Sequence, residues 1–178
     1  MGEAVDTYLL ENATVRHALT VAEDTKVEAP ALFEVTLDAA HPNALSVLSV
    51  DAKAGSSLTV VQVVRGDAEN GAAASLTRIR AGENAHVKLV QVQLLGSHAR
   101  RWNAVAIEEA KSAKVEQVRI ELGGALSHVV PRHSSPLPRA STTLMPSTSA
   151  AATPCWITTM SPFTPPRTPC ARCTPPVS

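Results

Sequence analysis

Residues 85–94 and residues 113–122 carry the same alternation of apolar side chains. In the first stretch the apolar positions are Ala85, Val87 and Leu89, then Val90, Val92 and Leu94. In the second, Ala113, Val115 and Gln117 are followed by Val118, Ile120 and Leu122. The alternation changes phase at the same place in both. A weaker copy lies upstream and reads Leu58, Val60, Gln62, then Val63, with Leu58 answering to Ala85. Period-two alternation keeps one face of a strand inward, so a change of phase calls for a bulge or corner. Corners at one point of successive repeats describe a β-solenoid, in which each turn of chain stacks on the last and a column of Val, Ile and Leu fills the bore.

The rest of the chain up to residue 130 agrees with strands. It holds nineteen valines but only Tyr8, Phe33 and Trp102 as aromatic residues, and β-branched side chains favour extended backbone. Short apolar runs at 15–21, 32–37, 45–50, 58–64, 75–80, 85–95, 103–107 and 113–122 are predicted strands. Asp51-Ala-Lys-Ala-Gly55, residues 66–71 and Ala81-Gly-Glu-Asn84 read as turns. Helical periodicity is confined to the first dozen residues. The fold class is therefore all-β. A β-sandwich is the competing architecture, but sandwiches commonly use aromatic core anchors, and this stretch has almost none.

The chain is two compositions joined near residue 130. Residues 1–130 carry twelve Lys/Arg and sixteen Asp/Glu, and residues 131–178 carry four Arg and no acid. Eleven of thirteen prolines and all three cysteines fall at or after Pro131, whereas every glycine falls at or before Gly124. The second part has too little apolar surface to offset its ordering entropy, so it is expected to be a disordered tail, with residues 1–130 as the folded unit. No apolar run approaches the ~18 residues of a membrane span. The acidic N-terminus does not resemble a secretory leader. The cysteine-free folded part suits a cytoplasmic location, and its mildly acidic balance gives no case for nucleic acid.

Residues 45–127 resemble the SufB/SufD family, the scaffold subunits of the SUF iron–sulfur cluster assembly machine. The resemblance is carried by Ala54-Gly55-Ser56-Ser57-Leu58-Thr59-Val60, by Ala81-Gly82-Glu83-Asn84-Ala85-His86-Val87, and by Leu122-Gly123-Gly124-Ala125-Leu126-Ser127. Their order and spacing are more similar to SufD than to SufB. The resemblance implies a right-handed parallel β-helix, here an incomplete solenoid. It also implies a non-catalytic scaffold that pairs with a SufB-like subunit and a SufC-like ATPase, with the iron–sulfur cluster handled by the full complex and no cofactor bound by this chain. The family's functional Cys and His positions and its SufC-docking helices have no counterpart here, so SufC docking is expected to be lost. Cys155-Trp156-Ile157-Thr158-Thr159-Met160 can be encoded so that reading one base later yields Leu-Asp-Tyr-Asn-Tyr, which resembles a continuing family strand. The tail is accordingly expected to be frameshifted translation beginning close after Ser127, and the chain a truncated fragment. A stand-alone β-solenoid or β-sandwich binding module with a disordered tail is the alternative reading.

No catalytic, cofactor-binding or metal site is assigned. Cys170-Ala171-Arg172-Cys173, with Cys155, has the spacing of a thiol pair, but lacks the second pair and preorganised turn that metal or redox sites need. His98-Ala99-Arg100-Arg101-Trp102 mixes basic and aromatic residues as nucleic-acid sites do, yet reads as a solvated loop. His86 should point outward from its strand, and His17, His41 and His128 take surface or turn roles. Residues 66–71 have the glycine spacing of a phosphate loop without its Lys-Ser/Thr. Acidic residues are expected mostly in turns and on outward strand positions.

Overall fold

The structure is a computed structural model, and it describes residues 2–134. Helix α1 (Gly2–Asn12) leads into nine strands: β1 (Val15–Val21), β2 (Ala31–Leu37), β3 (Asn43–Ala52), β4 (Ser57–Gly66), β5 (Ala72–Ala81), β6 (His86–Leu95), β7 (Arg100–Glu109), β8 (Lys114–Gly123) and β9 (Leu126–Ser134). Odd-numbered strands form one parallel sheet, β1-β3-β5-β7-β9, and even-numbered strands a second, β2-β4-β6-β8. Each coil of the chain contributes one strand to each sheet, so the fold is a parallel β-helix of about four turns. All eight predicted strands are present. β9 extends the first sheet across the compositional break at residue 130. It tolerates Pro131 because it is the outermost strand of that sheet among the described residues, where a missing N–H costs no ladder bond.

Two kinds of turn close each coil. Residues 53–56, 82–85 and 110–113 connect the first sheet to the second, and their third residues, Gly55, Asn84 and Ser112, all have positive φ (68°, 57° and 58°). These turns hydrogen-bond along the stack: Gly55 N–H donates to Glu83 O (2.8 Å) and Asn84 N–H to Lys111 O (3.1 Å). The return turns shorten along the chain, from residues 67–71 to 96–99 to 124–125. The coils shorten with them. Leu58 pairs with Val87, Val87 with Val115, and Arg100 with Leu126, each pair spanning less chain than the one before. The repeat between residues 85–94 and 113–122 is therefore the register of β6 on β8. The weaker copy is aligned differently, because Leu58 stands over Val87 and not over Ala85. That alignment keeps the same face inward, and the coil it spans is the longer one because it contains the turn at 67–71.

The change of phase does not occur. Along β6 the buried positions are Val87, Leu89, Gln91, Gln93 and Leu95, in unbroken alternation, and Val90, Val92 and Leu94 face outward. β4 likewise buries Leu58, Val60, Gln62 and Val64. No corner interrupts either strand, since glutamines take the inward places that apolar residues were expected to fill. The bore is thus divided. One half is aliphatic, with Val50, Ile79 and Ile107 of the first sheet facing Val60, Val87 and Leu89 of the second. The other half carries the buried polar side chains and ends on a smaller aliphatic cluster of Leu37, Val64, Ala73, Leu95 and Ala99. On the outside of the first sheet, α1 seats Leu9 against Val47, Leu76 and Ala104.

Candidate functional site: a buried polar column

The polar half of the bore changes character from coil to coil. In the second sheet one inward row reads Phe33, Gln62, Gln91, Arg119, and the next Val35, Val64, Gln93, Glu121. In the first sheet a row reads Ser46, Ser75, Asn103, and beside it Ala44, Ala73, Arg101. The first coil is lined by aromatic and aliphatic side chains and the last by two guanidiniums and a carboxylate. Parallel stacking in register places each side chain directly over its counterpart, about 4.8 Å away, so amides in one row reach one another.

Gln91 is the centre of this column and is 2% exposed. Its Nε2 donates to Gln62 Oε1 (2.8 Å) and Asn103 Oδ1 (3.2 Å), and its Oε1 accepts from Asn103 Nδ2 (3.0 Å) and Gln117 Nε2 (3.0 Å). Both donors and both acceptor sites of this amide are used. Thr77 Oγ1 donates to Gln62 Oε1 (3.1 Å), and Ser75 Oγ to Asn103 Oδ1 (3.0 Å). Arg101 Nη2 extends the chain by donating to Ser75 Oγ (3.2 Å). Side chains from successive coils are thereby joined to Gln91 directly or through one or two intermediates, as a buried polar network must be to persist in a low-dielectric interior.

Satisfaction fails toward the last coil. Arg101 Nη1, Gln117 Oε1 and Arg119 Nε and Nη2 are buried without a hydrogen-bond partner. Arg119 Nε lies 3.8 Å from Glu121 Oε1, an ion-pair contact too long for a hydrogen bond. Burial lowers the Arg101 guanidinium to about 10; the Glu121 charge opposes that shift and the Arg119 charge adds to it. Arg119 is lowered for the same reason, with Glu121 again opposing. Ser127 Oγ donates to Glu121 Oε2 (3.2 Å). Two cations and one anion therefore share this end, with guanidinium N–H groups able to meet an acceptor.

The structure corrects the reading of Arg101 as part of a solvated loop: it lies on β7, 3% exposed and pointing into the bore. Arg100 is exposed on the opposite face, Trp102 is half-buried, and His98 sits in the preceding turn. Beside the acidic residues of turns and outward positions, two carboxylates face inward. Glu109 is 7% exposed and accepts from Val115 N–H (3.0 Å), and Glu121 faces inward. His98 Nδ1 lies 3.1 Å from Asp67 Oδ2 across one coil, an interaction that holds the Asp67 carboxyl below its usual range. His41, exposed in a turn, pairs with Asp38 at 3.2 Å. His86 is exposed on the outer face of β6, His17 stacks obliquely on Phe33 with centroids 5.2 Å apart, and His128 lines a cleft beside α1. Cys155, Cys170 and Cys173 lie outside the described residues. Among the described residues no three His, Cys, Asp or Glu side chains gather as a metal site, and no helix is long and apolar enough to cross a membrane.

The family model for the SUF system FeS cluster assembly SufBD core domain matches residues 35–153, about two thirds of the chain. The chain belongs to the SufBD core family. The match begins in β2, spans every later strand, and runs past residue 130. A SufBD core has a role in iron–sulfur cluster assembly, so the polar column lies inside the domain that defines this family. No curated protein and no solved structure matches the chain. The inward amides escape a sequence reading that assigns apolar residues to the bore. The available signal is Gln62 and Gln91, which stand in register on neighbouring coils.

Proposed function

We propose that this SufBD protein is a non-catalytic, SufD-like scaffold that holds a SufB-like subunit while an iron–sulfur cluster is assembled, the cluster being cargo of the complex. The family assignment carries this reading. The stacked fold supports it, because a β-helix offers rigid, repeating surfaces rather than a cleft with convergent catalytic groups. A SufC-like ATPase joins through the SufB-like subunit and not through this chain, and the complex works in the cytoplasm. Co-expression of the tagged full chain with SufB-like and SufC-like subunits, followed by size exclusion with light scattering, tests this. The expected result is recovery of the SufB-like subunit, with SufC present only when that subunit is also present. Stoichiometric SufC without it, or no SufB-like subunit at all, overturns the proposal. The proposal extends to the tail as a change of reading frame after about Ser127. Sequencing the gene tests that, and failure of any single-base change to restore a β-rich frame contradicts it.

A further inference from the structure

The unbroken alternation leaves aliphatic side chains on the outside of the second sheet. Val61, Val90 and Val118 stand side by side in register there, followed by Val63, Val92 and Ile120. Leu94 and Leu122 close the far end. Ile120, Leu94 and Leu122 are 42%, 43% and 44% exposed. The corresponding face of the first sheet is treated differently: α1 covers it and brings Val47, Leu76 and Ala104 to 5%, 1% and 7% exposure. α1 reaches β3 and β5, and it is the only helix among the described residues. The uncovered patch measures about 10 Å across three strands and about 13 Å along them. That is the footprint of two to three turns of one α-helix, roughly 10 Å wide.

We propose that this face docks an amphipathic helix of a partner protein, with the helix's acidic end placed over the N-terminal ends of β6 and β8. The charge at that end selects the occupant. Lys88 and His86 of β6 and Lys114 of β8 project outward beside the first aliphatic row, with Glu116 as the local carboxylate and Lys114 as its ion-pair partner. Lys114, His86 and Lys88 together hold the Glu116 carboxyl below its usual range, so the local field is positive. α1 shows the same recipe on the first sheet. Its Leu9 fills the apolar strip, and its Asp6 pairs with Arg132 of β9 at 2.9 Å. A second copy of this chain fits less well. In one orientation Lys88 and Lys114 meet themselves. In the other they meet Leu94, Leu122 and Arg65, and Arg65 already holds Glu34. Neither orientation supplies a free carboxylate. The inference is independent of the scaffold role.

The test uses the full chain and two labelled helical peptides of about three turns with the same leucine face. One carries glutamates at one end and the other carries lysines there. Fluorescence anisotropy is expected to show saturable binding of the acidic peptide, at least tenfold tighter than the basic one. Binding should weaken as NaCl rises from about 50 to about 500 mM, because the ionic contacts are exposed. Val92→Asp should weaken it at least tenfold, and Lys88→Glu with Lys114→Glu should reverse the preference between peptides. Circular dichroism verifies that each variant is folded, and Ile120→Asp on the outer strand replaces Val92→Asp if the latter unfolds. Equal affinity for both peptides, or none for the acidic one, overturns the proposal. So does binding to anionic vesicles in its place, or self-association in sedimentation velocity that Val92→Asp abolishes.

Discussion

Replacing Gln91 by leucine separates the polar column from an ordinary aliphatic core. The two side chains have similar volume, so the substitution removes hydrogen bonds with little change in packing. Gln62 Oε1 keeps Thr77 and Asn103 Oδ1 keeps Ser75. Asn103 Nδ2 and Gln117 Nε2, however, lose their acceptor. Gln117 is then left with no partner on either amide atom, since its Oε1 has none already. Two stranded buried donors cost about 1–3 kcal/mol each, and burying leucine in place of an amide returns roughly 1–2 kcal/mol. The expected net loss is about 3 kcal/mol, measured by urea unfolding followed by far-UV circular dichroism. Val90→Asn, one residue earlier but facing outward, should cost no more than about 1 kcal/mol. A Gln91→Leu protein as stable as the parent, with Val90→Asn strongly destabilised, would refute the orientation of β6 on which the column depends.

Four further outcomes follow from the same structure. Arg101→Met should leave stability unchanged or raise it by about 1–2 kcal/mol in the same unfolding assay, because a buried guanidinium with an orphaned N–H costs more to desolvate than one hydrogen bond recovers; a loss above about 2 kcal/mol contradicts this. Gly66→Ala should destabilise by at least about 2 kcal/mol, since Gly66 has φ of 109° and a Cβ there would collide with the Leu37 carbonyl. Leu9→Ala should cost about 2–4 kcal/mol and appear as faster amide exchange in α1 with the strands still protected. The Asp67 carboxyl, held low chiefly by the His98 side chain, contributes stability above its unfolded value of about 3.9. That contribution is lost as pH falls through the lower folded value, so Asp67→Asn should flatten the acid limb of a stability–pH curve, and an unchanged limb would contradict the pairing.

The sequence and the structure agree where side-chain period alone decides. Valine-rich runs between glycine, asparagine and aspartate turns mark eight strands, and the interval between residues 85–94 and 113–122 is the register of β6 on β8. They part where inward was equated with apolar. Gln91 and Gln117 break an aliphatic pattern in one dimension, and only the stacking of coils brings the Gln91 amide within hydrogen-bond distance of both Gln117 and Asn103. Arg101 was hidden for the same reason. In the string His98-Ala99-Arg100-Arg101-Trp102 nothing distinguishes Arg101 from Arg100, and strand pleating alone sends one inward and the other to solvent. β9 escaped because Pro131 and the change of composition fall within it, whereas neither prevents pairing with β7 on what is, among the described residues, the outermost strand of its sheet.

Cysteine accessibility along β6 tests the central claim, a parallel β-helix with Gln91 and Gln93 inside and Val90 and Val92 outside. Cys155, Cys170 and Cys173 are first replaced by serine. Single substitutions Val90→Cys, Gln91→Cys, Val92→Cys and Gln93→Cys are then reacted with a maleimide under native conditions. Rapid labelling at positions 90 and 92 with protection at 91 and 93 is the predicted result. Protection at 90 and 92 with labelling at 91 and 93 would place the valines in the bore and contradict the account.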